Sequence, residues 1–235
     1  MEGANLQLSP EEMRLVREPG WILTKNSIIK KVVGLFAGLS EDYRAALEGP
    51  ASAPAATAPN PAAPAAMVAV AGSPFGSPKI SKGENYQGLP YVMLDYPRLF
   101  GREDVLAIRT FFWWGHSFSV TIHLKGTYRD HYLPVLQQRW AELAAAGFHV
   151  GISEDEWRHE HAPETYRPIV SAEDLRRSRN IEGEAQGIGS VSGGSAGPVP
   201  APGFLKLSAA CGLDRWEEAH EVLLGLFRVL VDVLH

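Results

Sequence analysis

The chain reads as an α+β domain in which an antiparallel sheet of about three to five strands is packed by helices. Two observations predict it. Apolar residues recur at helical spacing near both ends of the 235-residue chain and again after residue 127, whereas three runs rich in β-branched and aromatic residues follow one another between residues 91 and 125. Runs linked so closely by polar or glycine-containing turns are antiparallel neighbours. With 45% hydrophobic and 21% charged residues the chain can bury one sizeable core, so residues 1–235 read as a single domain.

Taken in order, Ser9 as N-cap, Pro10 at the first helical position and Glu12 three residues after the cap predict a short helix over 10–18. The stretch NSIIKKVVGLFAGLSEDYRAAL places Ile28, Ile29, Val32, Val33, Leu35, Phe36 and Leu39 on one side and Lys30 and Lys31 on the other, an amphipathic helix. A third helix carries Tyr132, Val135, Leu136, Trp140 and Leu143 and stops at Gly147, the residue that best tolerates a left-handed conformation. A fourth carries Trp216, Val222, Leu223, Leu226, Phe227, Leu230 and Leu234 behind Asp214 as a candidate cap.

Two low-complexity segments divide these elements. Residues 49–78 are dominated by Ala and Pro, and proline's fixed φ and missing N–H exclude a regular helix or central strand. Residues 178–203 are rich in Gly and Ser and lack the apolar periodicity that offsets the entropy of ordering. Both read as flexible insertions.

The strands are YVMLDYPRLF, DVLAIRTFFWW and SFSVTIHLKG, with FHVGIS as a candidate fourth. In the third, Phe118, Val120, Ile122 and Leu124 alternate with Ser119, Thr121, His123 and Lys125. In the second, Leu106, Ile108, Phe112 and Trp114 form the more apolar set, with Arg109, Phe111 and Trp113 opposite. A loop of odd length, Gly115-His116-Ser117, brings the two apolar sets to one side, sets Phe118 across from Trp114, and puts Arg109 near His123. Asp95 on the first strand falls beside Arg109.

The face away from the core therefore gathers Asp95, Arg109, Phe111, Trp113, Thr121 and His123. Aromatic surface with a few polar groups is what a small-molecule pocket needs, and an acid beside a histidine can fix its tautomer and raise its basicity. The same residues serve equally as a structural salt bridge, Asp95 with Arg109, beside a histidine bonded to the backbone. No nucleophile motif accompanies them: GxSxG is absent and Cys211 has no recognisable context. The stretch DEWRHEHAPETY holds His159 and His161 but lacks HExxH spacing, and reads as a solvated charged loop rather than a metal site. Lys79 and Lys82, ahead of two glycines, read as part of a turn into the first strand rather than an anion site.

A net charge of −5 without a basic block argues against nucleic-acid binding. One cysteine fits a reducing compartment, and the sequence has neither a signal-peptide pattern nor the roughly 18 apolar residues a membrane span requires, so a cytoplasmic protein is expected. The order of elements, with KGENYQGLPYVMLDYPR ahead of the aromatic strand, resembles an uncharacterised family of bacterial conserved hypothetical proteins; the resemblance spans most of the ordered chain and implies no activity. The expectation is a soluble, non-catalytic binding or interaction protein that uses the mixed face for a small molecule or a protein partner, with no cofactor and no metal. The alternative is a small hydrolase-like enzyme with His123 as base.

Overall fold

The computed structural model describes residues 6–48, 75–176 and 203–234. Seven strands form one open antiparallel sheet in the order β1-β2-β3-β4-β7-β5-β6: β1 Lys79–Tyr86, β2 Leu89–Phe100, β3 Val105–Trp113, β4 Ser117–Lys125, β5 His149–Gly151, β6 Tyr166–Pro168 and β7 Phe204–Gly212. The α-helices are α1 Pro10–Arg17, α2 Gly20–Glu48, α3 Thr127–Gln138, α4 Trp140–Ala145, α5 Ala172–Arg176 and α6 Ala219–Leu234. Mixed helix and antiparallel sheet is thus the architecture, but the expected three to five strands become seven. β1, KISKGENY, is an edge strand in which Lys, Ser, Gly, Glu and Asn outnumber Ile80 and Tyr86, a composition that reads as a turn, and β6 spans three residues, too few to show a period. The predicted insertions, 49–78 and 178–203, lie outside the described residues apart from residues 75–78 and Gly203.

Helices cover one face. On α2, Ile29, Val32, Phe36, Leu39 and Tyr43 are buried at intervals of three and four, the stripe that a helix of 3.6 residues per turn presents to a sheet. Leu223, Phe227 and Leu230 of α6 join them over Val92 and Leu94, Leu106, Ile108 and Phe112, Phe118, Val120 and Ile122, and Leu205 and Leu207 of the four central strands. Thr110, the polar member of the β3 apolar set, is fully buried because Tyr43 meets it: the phenol oxygen lies 2.9 Å from Thr110 Oγ1 and 3.3 Å from the Leu223 carbonyl, joining α2, β3 and α6.

Local chemistry sets several boundaries. The capping box at Ser9 and Glu12 forms as predicted. Gly147 takes φ 83° after α4. At Gly126, φ is 59° and an added Cβ would stand 2.2 Å from Asp104 Oδ1, which accepts hydrogen bonds from Thr127 N and Oγ1 at 2.7 and 2.9 Å and so caps α3 from the β2–β3 loop. Elsewhere the expectations need correcting. The third predicted helix is split at Arg139, whose φ and ψ of −104° and 20° are not helical. Residues Leu213–Glu218 form a 3₁₀ turn before α6, so Asp214 does not cap an α-helix. Among the described residues no helix is long and apolar enough to cross a membrane.

The β3–β4 hairpin has an odd loop, but it is Trp114-Gly115-His116, closed by His116 N donating to the Trp113 carbonyl at 3.1 Å. Phe112 therefore opposes Phe118 and Arg109 opposes Thr121, two residues short of the predicted pairing with His123. A shift of two preserves the faces. Ile122→Ala is accordingly expected to destabilise by roughly 2–5 kcal/mol through its cavity, and Thr121→Ala by about 1–2 kcal/mol through the lost hydrogen bond to Ser208. Urea unfolding of the two variants checks it; the reverse ranking would mean that the sheet faces are exchanged.

Candidate functional site

The second face of the sheet is covered as well. Residues 152–165, which connect β5 to β6, fold back as a strap across β3, β4 and β7, and Tyr86 at the end of β1 closes the aromatic side. Asp95, Phe111, Trp113, Thr121 and His123 are all buried as a result. The sequence expectation of a solvated DEWRHEHAPETY loop is overturned, since Glu160 is only 3% exposed and both histidines reach the sheet.

Polar groups of the sheet fasten this strap. Arg109 holds Asp95 in a two-point pair, Nε to Oδ1 at 2.7 Å and Nη2 to Oδ2 at 3.0 Å, and its Nη1 donates to His159 Nε2 at 2.8 Å. Tyr86 donates its phenol proton to Glu160, which also pairs with Arg158, and the same oxygen accepts His159 N at 2.7 Å. Thr121 donates to Ser208 Oγ at 2.8 Å, and Ser208 meets His161 Nδ1 at 3.3 Å. Lys125 pairs with Glu156 at 2.9 Å. Lys206 on β7 donates to the backbone carbonyls of Glu156 and Arg158. His123 Nε2 stands 3.3 Å from Glu156 Oε2, yet neither buried atom has a hydrogen bond of good geometry, so this is a close contact rather than a formed bond.

Burial decides the protonation of these groups. His123 is pushed down to about 3 by desolvation first and then by the charges of Lys206, Arg109 and Lys125; desolvation and then Arg109 push His159 down to about 2. His161 falls to about 4 through desolvation and then His149. Lys206 is lowered to about 8 by desolvation and then Arg109, against the pull of the Glu160, Asp155 and Glu156 carboxylates. Tyr86 is raised to about 12 by desolvation and then by its bond to Glu160. The imidazoles are thus neutral near pH 7, and the charges that remain are carried by Arg, Lys and carboxylates.

A cleft opens at the edge of the strap, lined by Phe100, Ala107, Arg109, Thr121, His123, His159 and Lys206. It encloses about 260 Å³ continuous with solvent, of which the part clear of the walls has room for one water or one ligand oxygen. Phe100 and Trp157 stand at its outer side, 40% and 52% exposed, with ring centroids 6.4 Å apart.

Three of the six residues singled out in the sequence, Arg109, Thr121 and His123, line this cleft. Asp95 lies behind it as the partner of Arg109. Phe111 and Trp113 are elsewhere, packed edge-on against Tyr86, with Trp113 Nε1 donating to the Tyr86 carbonyl at 3.1 Å. Sequence reasoning missed Lys206, Glu156, Glu160 and Tyr86, and set His159 and His161 aside. The signal for Lys206 was present in FLKLSAACG, where Leu205, Leu207 and Ala209 alternate with Lys206 and Ser208. Among the described residues no group of three or more His, Cys, Asp or Glu stands close enough to hold a metal ion.

No family model matches this chain. Nor does any curated protein or solved structure.

Proposed function

We propose that the protein is a non-catalytic binding protein that takes a small ligand in the cleft between strap and sheet. The observation that carries the reading is the convergence of polar groups from β3, β4, β7 and the strap on a cleft with exposed aromatic rings at its outer side. A rigid sheet supplies Arg109, Thr121, His123 and Lys206, while the strap, residues 152–165, contains turns but no helix or strand, is held by polar bonds and can yield more readily than a packed apolar layer.

The runner-up, a hydrolase with His123 as base, draws on the carboxylate of Glu156 at 3.3 Å. Against it stand the low basicity of that imidazole, which makes it a weak proton acceptor near pH 7, and a contact that lacks hydrogen-bond geometry. The nearest hydroxyl network, Thr121 to Ser208, runs to His161 instead.

A thermal-shift screen with cationic, neutral and anionic small molecules tests the proposal, because a ligand that binds only the folded state raises the melting temperature, by the equivalent of about 2.7 kcal/mol at a hundred times its Kd. Hits on the wild type that disappear in His123→Gln are expected. A screen in which no compound of any charge stabilises the wild type, or in which every hit survives the substitution, would overturn it.

A further inference from the structure

Arg109, Lys125 and Lys206 each reach from the sheet to the strap, and they do not share the nearby carboxylates evenly. Asp95 is taken by Arg109 and Glu156 by Lys125. Among the described residues no carboxylate lies within ion-pair distance of Lys206, although it is 5% exposed. Its ammonium donates to two backbone carbonyls, of Glu156 and Arg158, and lies 5.9 Å from the centre of the Tyr166 ring. An ammonium has three protons to donate, and a buried one without a counter-ion is costly. Lys206 also lines the cleft. The Glu160, Asp155 and Glu156 carboxylates favour its charged form without forming an ion pair with it.

The rest of the cleft matches in kind. Arg109 and the neutral imidazoles of His123 and His159 surround the interior with N–H groups, the Thr121 hydroxyl, its proton given to Ser208, completes the lining, and the space among them admits one water-sized group. Outside it, Phe100 presents a largely exposed ring beside that of Trp157, and Trp157 in turn stands edge-on to His123 at 6.0 Å. A cationic interior of single-oxygen size, with two exposed aromatic rings beside it, is asymmetric. It fits a ligand that is asymmetric in the same way.

We infer that the ligand is a small organic oxyanion, a carboxylate or phosphate head carried on a flat apolar or aromatic body. One head-group oxygen enters the cleft as the counter-ion of Lys206, flanked by Arg109, Thr121 and His123, and the body rests against Phe100 and Trp157. This rests on the binding reading above and adds the class of ligand to it. Carboxylate and phosphate share the chemistry that the cleft recognises, an oxygen bearing negative charge, and the probes below separate them.

Isothermal titration of the full chain with benzoate, phenyl phosphate, inorganic phosphate, benzyl alcohol and benzylamine is the test. Benzoate, phenyl phosphate or both bind, and whichever is the tighter names the head group; benzyl alcohol and benzylamine, with the same body and no negative charge, bind at least about tenfold more weakly, as loss of a charge-assisted hydrogen bond implies. Lys206→Met weakens the preferred anion by about tenfold or more. Trp157→Ala, at a residue whose exposure leaves the fold intact, weakens the aromatic anion but not inorganic phosphate. Equal binding of benzylamine or benzyl alcohol, undiminished affinity in Lys206→Met, or binding of inorganic phosphate alone would overturn the inference. If the broader screen then yields neutral or cationic ligands that depend on His123, the binding function stands and only the ligand class falls; if it yields nothing, the binding function itself is wrong.

Discussion

Arg109→Met is expected to destabilise the protein by about 3–5 kcal/mol, because it leaves Asp95 charged and buried with its partner gone. The carboxylate is 6% exposed and both of its oxygens are bonded to the guanidinium, and the same side chain holds His159 of the strap. The informative comparison is the double variant Asp95→Leu/Arg109→Met, which removes the stranded charge together with its partner. Exchanging a buried pair for apolar residues of similar volume is often neutral or stabilising, so the double variant should recover much of the loss. Urea unfolding of the wild type, both single variants and the double closes the cycle. A single-variant loss below about 1 kcal/mol would indicate a solvated surface pair and a strap that does not cover it.

Stability is expected to fall steeply as the solution is acidified below pH 6.5. His123 and His159 are held down to about 3 and about 2 in the folded protein, while an exposed histidine in the unfolded chain titrates near 6.5. Above that value both states are neutral and the stability is fully present. Below it the unfolded chain binds protons that the folded protein refuses, so stability decreases as pH falls, by at most about 1.4 kcal/mol per pH unit for each imidazole, and the decline continues toward the folded values. His161, lowered less far, to about 4, acts in the same direction until the pH approaches that value. Measuring the urea midpoint between pH 5 and pH 7.5 gives the slope, and His159→Gln should reduce it by about one proton. A flat profile would show the imidazoles to be solvated in the folded state.

How much of this was legible in the sequence follows from the range of the interactions. Alternation within β3 and β4 revealed the faces, because a period of two is a property of each strand alone, and spacing put Asp95 beside Arg109. The pairing of β3 with β4 was displaced by two residues, since the face pattern fixes only the parity of a register and the turn geometry at Trp113 and Gly115 chooses among registers of equal parity. The partners of His123 and Arg109 in the strap were beyond reach. Glu156 and His159 sit in a stretch with no period, and a charged segment looks the same in sequence whether water or a sheet satisfies it. β7 carried a readable alternation of apolar with polar residues, Leu205 and Leu207 against Lys206 and Ser208, but it follows a glycine-rich segment that dominates the local composition.

The place of β7 has a consequence for how the molecule comes into being. β1 to β4 form a meander of successive neighbours, whereas β7 enters between β4 and β5 and, among the described residues, is the one strand that joins the β5–β6 pair to the rest. During synthesis the outer edge of β4 must therefore wait, with its backbone donors and acceptors unpaired, until residues 204–212 have left the ribosome. An unpaired edge beside Phe118, Val120 and Ile122 is a template for pairing with another chain, and contacts between distant parts of a sequence form slowly. Lys206 travels on that same strand. A nascent or truncated chain that ends before β7 is then both aggregation-prone and without the central cation of the cleft, so that completion of the sheet and competence to bind an anion arrive in a single step.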